Sequence, residues 1–133
     1  MAIQYSTTVN NAKLDAIEST IGASAILKIR SGAAPANCGS ADSGTVLATV
    51  SLPADWMAAA ASASKAKSGT WSDASADASG TAAHFRVYDS GGTTCHIQGT
   101  VGTSGTDMIV DSVSFTAGQT FTVNTFTINA GNT

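Results

Sequence analysis

Two histidines, two cysteines and two spaced pairs of aspartates are the residues of this chain best suited to chemistry. His84 and His96 flank the turn Asp89-Ser90-Gly91-Gly92, and a zinc site would need further N or S ligands beside them. Strand alternation across residues 81–99 puts both histidines on a polar face and Cys95 on the opposite one, so the three do not converge. A metal site would have to draw on Asp89 or on a second chain. The same alternation rules out Cys95 and His96 as a nucleophile–base dyad. Cys38 has no base next to it in a helix-start context. Asp73 and Asp77 lie in a Ser/Ala-rich stretch, where solvated acids are the simpler reading than a pocketed acid–base pair. Asp107 and Asp111 share a strand face, but no sequential loop of oxygen ligands surrounds them as calcium would require. Walker and Rossmann glycine patterns are absent, as is a Gly-x-Ser-x-Gly elbow. The expectation is a protein that is not an enzyme and has no catalytic, cofactor-binding or metal-binding residues and no cofactor.

Residues suited to contact remain. Ile3 and Tyr5 precede the first helix, and no apolar period ties them to it, so they either dock on a partner or fold back onto the chain's own sandwich. Trp56 and Met57 follow Pro53 and form either a core plug or an exposed anchor. Ile3, Tyr5, Trp56 and Met57 are therefore the candidate partner-interface residues. Loop 31–44 and the turn at 89–92 are the other natural recognition surfaces on a β scaffold.

The elements that position these residues follow from periodicity. Residues 1–8 read as an extended arm. A helix is expected over 9–21, with Leu14, Ile17 and Ile21 on one face and Lys13, Asp15 and Glu18 on the others. Thr7 or Thr8 would cap it, and Gly22 would end it. The period then changes to two, and a β-sandwich is expected over 25–128. Its strands are read at 25–30, at 45–52 (with Val46, Ala48, Val50 and Leu52 on one face), briefly around Trp71, at 81–99 as a hairpin, at 108–115 and at 120–128. The alanine run at 58–61 leaves a short helix as an alternative. A three-residue hairpin loop, 90–92, would pair Val87 with Cys95 and Phe85 with Ile97 in the core, leaving His84, Arg86 and His96 outside. Phe121 and Val123 differ in parity from Phe126 and Ile128, which implies a bulge near Asn124-Thr125 or burial on both faces. The fold class is mainly β, a jelly-roll-like sandwich or barrel with one N-terminal helix, in a single domain spanning 1–133.

Composition narrows the partners. Of 133 residues, 43% are hydrophobic and only 11% charged, against roughly 25% charged in ordinary soluble domains. Such a surface suits packing against copies or partners; a simple Thr/Ser-coated monomer is the alternative. The six basic residues are scattered and the net charge is −3, so no nucleic-acid footprint is expected. No apolar run approaches the roughly 20 residues of a membrane span. The N-terminus lacks a signal-peptide pattern, which leads to the expectation of folding in a cytoplasm. There Cys38 and Cys95 would be free, partly buried thiols; a disulfide closing a long loop is the alternative.

Three blocks carry a resemblance: AIQYSTTVNNAKLDAIESTIGASAILKIRSGAAPANC (2–38), SGTVLATVSLPADWMAAA (43–60) and GTAAHFRVYDSGGTTCHIQGTV (80–101). They resemble a family of short, mostly uncharacterised proteins encoded among the structural genes of tailed bacteriophages and prophages. The likeness covers nearly the whole chain and weakens in the Ala/Ser stretch and the last strands. It implies a virion or morphogenesis protein and carries no catalytic residues. By analogy with small phage β proteins, it implies a capsid decoration or cement protein. Such a protein would clamp capsid subunits by edge pairing, an N-terminal arm and apolar contacts. Its partners would be the major capsid protein or other virion proteins, with self-association, and neither nucleic acid nor membrane. It would be found in the virion, and in the host cytoplasm during assembly. A tail, neck or fibre-attachment component is the alternative.

Overall fold

Ser6 sets the start of the helix in the computed structural model, which describes residues 3–130. Met1, Ala2 and residues 131–133, parts of the expected arm and domain, lie outside the described residues. Ser6 is extended, and its Oγ accepts from Val9 N at 3.2 Å. Helix α1 (Thr7–Ile21) therefore begins two residues earlier than expected, and Ser6 rather than a threonine caps it. Gly22, at φ +93°, ends the helix and donates its N–H to Glu18 O at 2.9 Å. Leu14 and Ile21 are buried and Ile17 half-buried, as the apolar spacing requires.

Among the described residues nine strands follow: β1 (Ile26–Ser31), β2 (Val46–Ser51), β3 (Ser64–Ala66), β4 (Ser72–Asp73), β5 (Gly80–Tyr88), β6 (Cys95–Gly102), β7 (Met108–Val110), β8 (Ser114–Phe115) and β9 (Phe121–Asn129). They hydrogen-bond in the order β2-β1-β5-β6-β7-β9-β3, with β4 on β9 and β8 on β5. The result is a mainly β fold with one N-terminal helix, its sheet curled into a half-barrel. The strand expected over 108–115 is two strands, because Asp111 turns back to accept from Ser112 N and the chain passes from β9 to β5. The alanine run does not form a helix; Ala61 and Ser64 close on each other as a tight bridge instead.

A line of aromatic rings fills the core. Trp56 meets Trp71 at 6.1 Å between centroids, Trp71 meets Phe126 at 5.6 Å, and Phe126 meets Phe85 edge-on at 5.4 Å. Both indoles keep a hydrogen bond inside, Trp56 Nε1 to Gly22 O at 3.0 Å and Trp71 Nε1 to Ser68 O at 3.1 Å. Trp56 thus ties the end of α1 to the barrel.

Single-residue bulges interrupt the alternation. In β9, Ile109 and Val110 pair with Thr125 and Val123, skipping Asn124, so the expected parity switch occurs there. In β2, Leu47 is skipped between the partners of Ile29 and Arg30. It is fully buried while Val46 is only half-buried, contrary to the expected face. In β6, Val87 pairs with Ile97 and Tyr88 with Cys95, skipping His96. This overturns the three-residue-loop register, since the loop runs from 89 to 94 and closes with Asp89 N on Thr94 O. Phe85 lies opposite Gly99, and a Cβ there would come within 2.8 Å of its ring.

Trp56→Ala is expected to lower stability by about 3–5 kcal/mol in urea unfolding. A loss under about 1 kcal/mol would show that the ring line is not the core's main packing element.

Candidate functional site

Of the four candidate contact residues, the structure exposes two and buries two. Trp56 and Met57 are 0% and 1% exposed, so they are the core plug and present no anchor to solvent. Pro53 does not lead them outward, because Trp56 closes on Gly22 and Met57 N donates to Glu18 Oε2 at 2.9 Å.

Ile3 and Tyr5 remain on the surface, 74% and 40% exposed, and Val9 joins them at 44%. These are the exposed large hydrophobic side chains among the described residues. The segment is tied to the helix at Tyr5 and Ser6. Asn10 Nδ2 donates to Tyr5 O at 3.4 Å, Asn10 N donates to Ser6 O at 3.0 Å, and Lys13 Nζ lies 4.3 Å from the Tyr5 ring centroid. Val9 was not singled out from sequence. The signal lay in its angle, since at about 100° per residue it stands roughly 140° from Leu14, off the buried stripe.

Loop 31–44 forms a second surface, and its support was not legible as such. His84, Arg86 and Tyr88 share one face of β5 and all three are buried, contrary to the expectation that His84 and Arg86 lie outside; both are at 1% exposure. The loop folds over them. Arg86 Nη2 donates to the carbonyls of Asn37, Cys38 and Ser40 at 3.0–3.1 Å, its Nη1 to Asp42 Oδ1, and its Nε to Gln98 Oε1 at 3.2 Å. Tyr88 Oη donates to Asp42 at 2.6 Å, and Arg30 pairs with the same carboxylate at 3.1 Å. His84 Nδ1 lies 2.7 Å from Gly32 O. Burial pushes the Asp42 carboxyl up, but the Tyr88 hydroxyl and the Arg86 and Arg30 guanidiniums outweigh it, and its pKa falls below the usual carboxylate value.

No protein-family model matches the chain, and neither does any curated protein or solved structure.

The remaining polar candidates have structural partners. Asp73 Oδ2 accepts from Thr49 N at 3.0 Å, Asp77 Oδ2 from Thr49 Oγ1 at 2.7 Å, and Asp77 N donates to Leu47 O at 2.7 Å, so this pair covers the free edge of β2. The segment 57–61 covers β3 in the same way, with Ala58 N on Ala66 O at 2.8 Å. Asp107 accepts from the N–H and hydroxyl of Thr100. His96 stays on the surface, 4.0 Å from Asp89, while His84 lies beneath the loop. Among the described residues no group of three or more His, Cys, Asp or Glu is placed to hold a metal ion.

The Asp42 clasp has a pH signature. Its folded pKa lies below the unfolded value, so its stabilisation is present above about pH 4 and is lost as pH falls through the folded pKa. Wild type is expected to lose urea resistance below about pH 4, and Asp42→Asn to start less stable and lose less over that range. Arg86→Ala is expected to cost about 3–5 kcal/mol, because it leaves three loop carbonyls without their donor and takes from Asp42 one of its three partners. An unchanged urea midpoint in Arg86→Ala would remove the clasp as a source of stability.

Proposed function

We propose that this chain is a non-enzymatic structural protein of a tailed-phage particle, a capsid decoration or cement protein that docks on capsid subunits through Ile3, Tyr5 and Val9. The observation that carries the reading is that the exposed large hydrophobic side chains among the described residues all lie at the start of α1, with Tyr5 tied to the helix. A Tyr5 held in this way loses little conformational freedom on docking, and Tyr is favoured at interfaces. The resemblance of the three sequence blocks to phage structural-gene products supports the assignment to a virion. Both outer strands of the sheet path are covered by the chain's own segments, so docking rests on the strip and not on strand addition. Fully burying an aliphatic side chain is worth about 1.5–3 kcal/mol. Three partly exposed side chains therefore give modest affinity per site, which becomes secure when repeated over a symmetric lattice.

The test is the triple variant Ile3→Ser, Tyr5→Ser, Val9→Ser, assayed for thermal stability and for incorporation into particles. The expected result is loss of incorporation with a melting temperature within a few degrees of wild type. Undiminished incorporation would overturn the reading. Copy number in wild-type particles narrows the location: hundreds fits head decoration or a tail tube, and a dozen or fewer fits a neck or tip component.

A further inference from the structure

We propose that Cys38 and Cys95 are the two halves of a redox latch, whose oxidation to an intramolecular disulfide locks loop 31–44 onto the β5–β6 hairpin. They are the chain's two cysteines, 57 residues apart in sequence, and both are free and half-buried. Sequence alternation would put Cys95 in the core. The bulge at His96 reverses its face and pairs it with Tyr88, on the side of β5 that carries Arg86. The loop brings Cys38 to that same side, where its carbonyl accepts from Arg86 Nη2 at 3.0 Å. Both residues line one open recess of about 600 Å³ together with Asp42, Arg86, Thr93 and Thr94.

The thiols act on each other directly. Burial pushes the Cys95 thiol up to about 11, and the neighbouring Cys38 thiol adds to the rise. Cys95 Sγ also donates to Ile97 O at 3.3 Å. The Arg86 cage holds the backbone at Cys38 and the β5–β6 pairing holds Cys95, so a bridge would tie two elements that are each already ordered.

The oxidant is a low-molecular-weight disulfide, RSSR. The Cys38 thiolate attacks one of its sulfurs, forms a Cys38–SR mixed disulfide and expels RS⁻, which takes a proton from water. Cys95 then releases its proton to solvent, and its thiolate attacks the Cys38 sulfur and expels the second RS⁻. Two protein thiols are oxidised to one disulfide, and RSSR is reduced to two RSH. The second step waits on ionisation of the half-buried Cys95 thiol, which burial disfavours, and so speeds up as pH rises. The latch stays open in a reducing compartment and closes outside it. This holds whatever the protein docks on, so it stands apart from the capsid assignment.

The test uses the full chain and oxidised glutathione, with thiol counts, peptide mapping without reductant, and melting temperature. The expected product is a monomer that has lost both thiols together, carries a 38–95 linkage and no glutathione, and melts roughly 10 °C higher. The Cys95→Ser variant is expected to stop at a glutathione adduct on Cys38, with no such rise. Stable glutathione adducts on wild type, cross-linked chains, or two thiols still free at alkaline pH would each overturn the proposal.

Discussion

Arg86 carries a full positive charge into the interior, and its N–H groups must be met there. An isolated buried charge costs many kcal/mol, so the group is tolerated only with paired charge and saturated hydrogen bonding. Here all three guanidinium nitrogens have partners, and most of the acceptors come from one irregular loop. The dependence runs both ways. Beyond Ser31, the last residue of β1, the loop to residue 44 has no strand or helix of its own, and without the guanidinium its inward carbonyls would be left unpaired. A lysine could not replace it, since one ammonium cannot reach carbonyls, a carboxylate and an amide in a single plane. The loop's closure adds a second constraint at Gly44, where φ is +74° and a Cβ would run into the Ser31 carbonyl oxygen.

A second polar lock fixes the helix. Asn11, Asp15 and Glu18 stand at helical spacing and accept from the N–H groups of Ala63, Ala60 and Met57 respectively, each at 2.9 Å. One face of α1 thereby satisfies the irregular segment beneath it, running antiparallel and three residues per step. Lys65, 2% exposed, closes the arrangement through Asp15 at 2.8 Å, Glu18 at 3.1 Å and Ala58 O at 2.8 Å. Burial alone would lower the Lys65 pKa, but these carboxylates raise it above the usual lysine value, so the ammonium stays charged. The corresponding stability is complete below the unfolded lysine value, about pH 10.4, and fades as pH rises through the folded one. The two locks together order the two long non-repetitive stretches of the chain.

What sequence could reveal follows from which interactions are local. The apolar stripe of α1, the alternation in β1 and β5 and the parity break in β9 all repeat within a few residues, and all were readable. The periodicity places Asp15 and Glu18 off the apolar stripe but does not show what they bind, because the partners of this polar face lie roughly forty to fifty residues away. His84 and Arg86 were read as exposed for the same reason, their acceptors being in a loop with no period at all. The bulge at His96 left no mark on the pattern, because a regular hairpin with a Gly-rich three-residue loop satisfies the same alternation. Of the candidate site, Ile3 and Tyr5 were legible as apolar residues outside any period. Trp56 and Met57 were ambiguous in principle, since large apolar residues serve equally as plugs and as anchors until their neighbours are known.

The low charge content takes on a different meaning once the locks are placed. Arg30, Lys65 and Arg86 are buried, half of the six basic residues. The others also have partners: Lys13 sits over Tyr5, Lys28 over Tyr88, and Lys67 donates to Gly69 O at 2.9 Å. Positive charge in this molecule serves mainly to order its own loops and arm. The surface is left to Ser, Thr, Ala and Gly, with the exposed apolar side chains gathered on the segment that starts α1. Association through such a surface gains little from long-range steering by charge and depends on contact area and repetition. Its strength should consequently change little with ionic strength, as expected of a strip of Ile, Tyr and Val and not of an ion-pair interface.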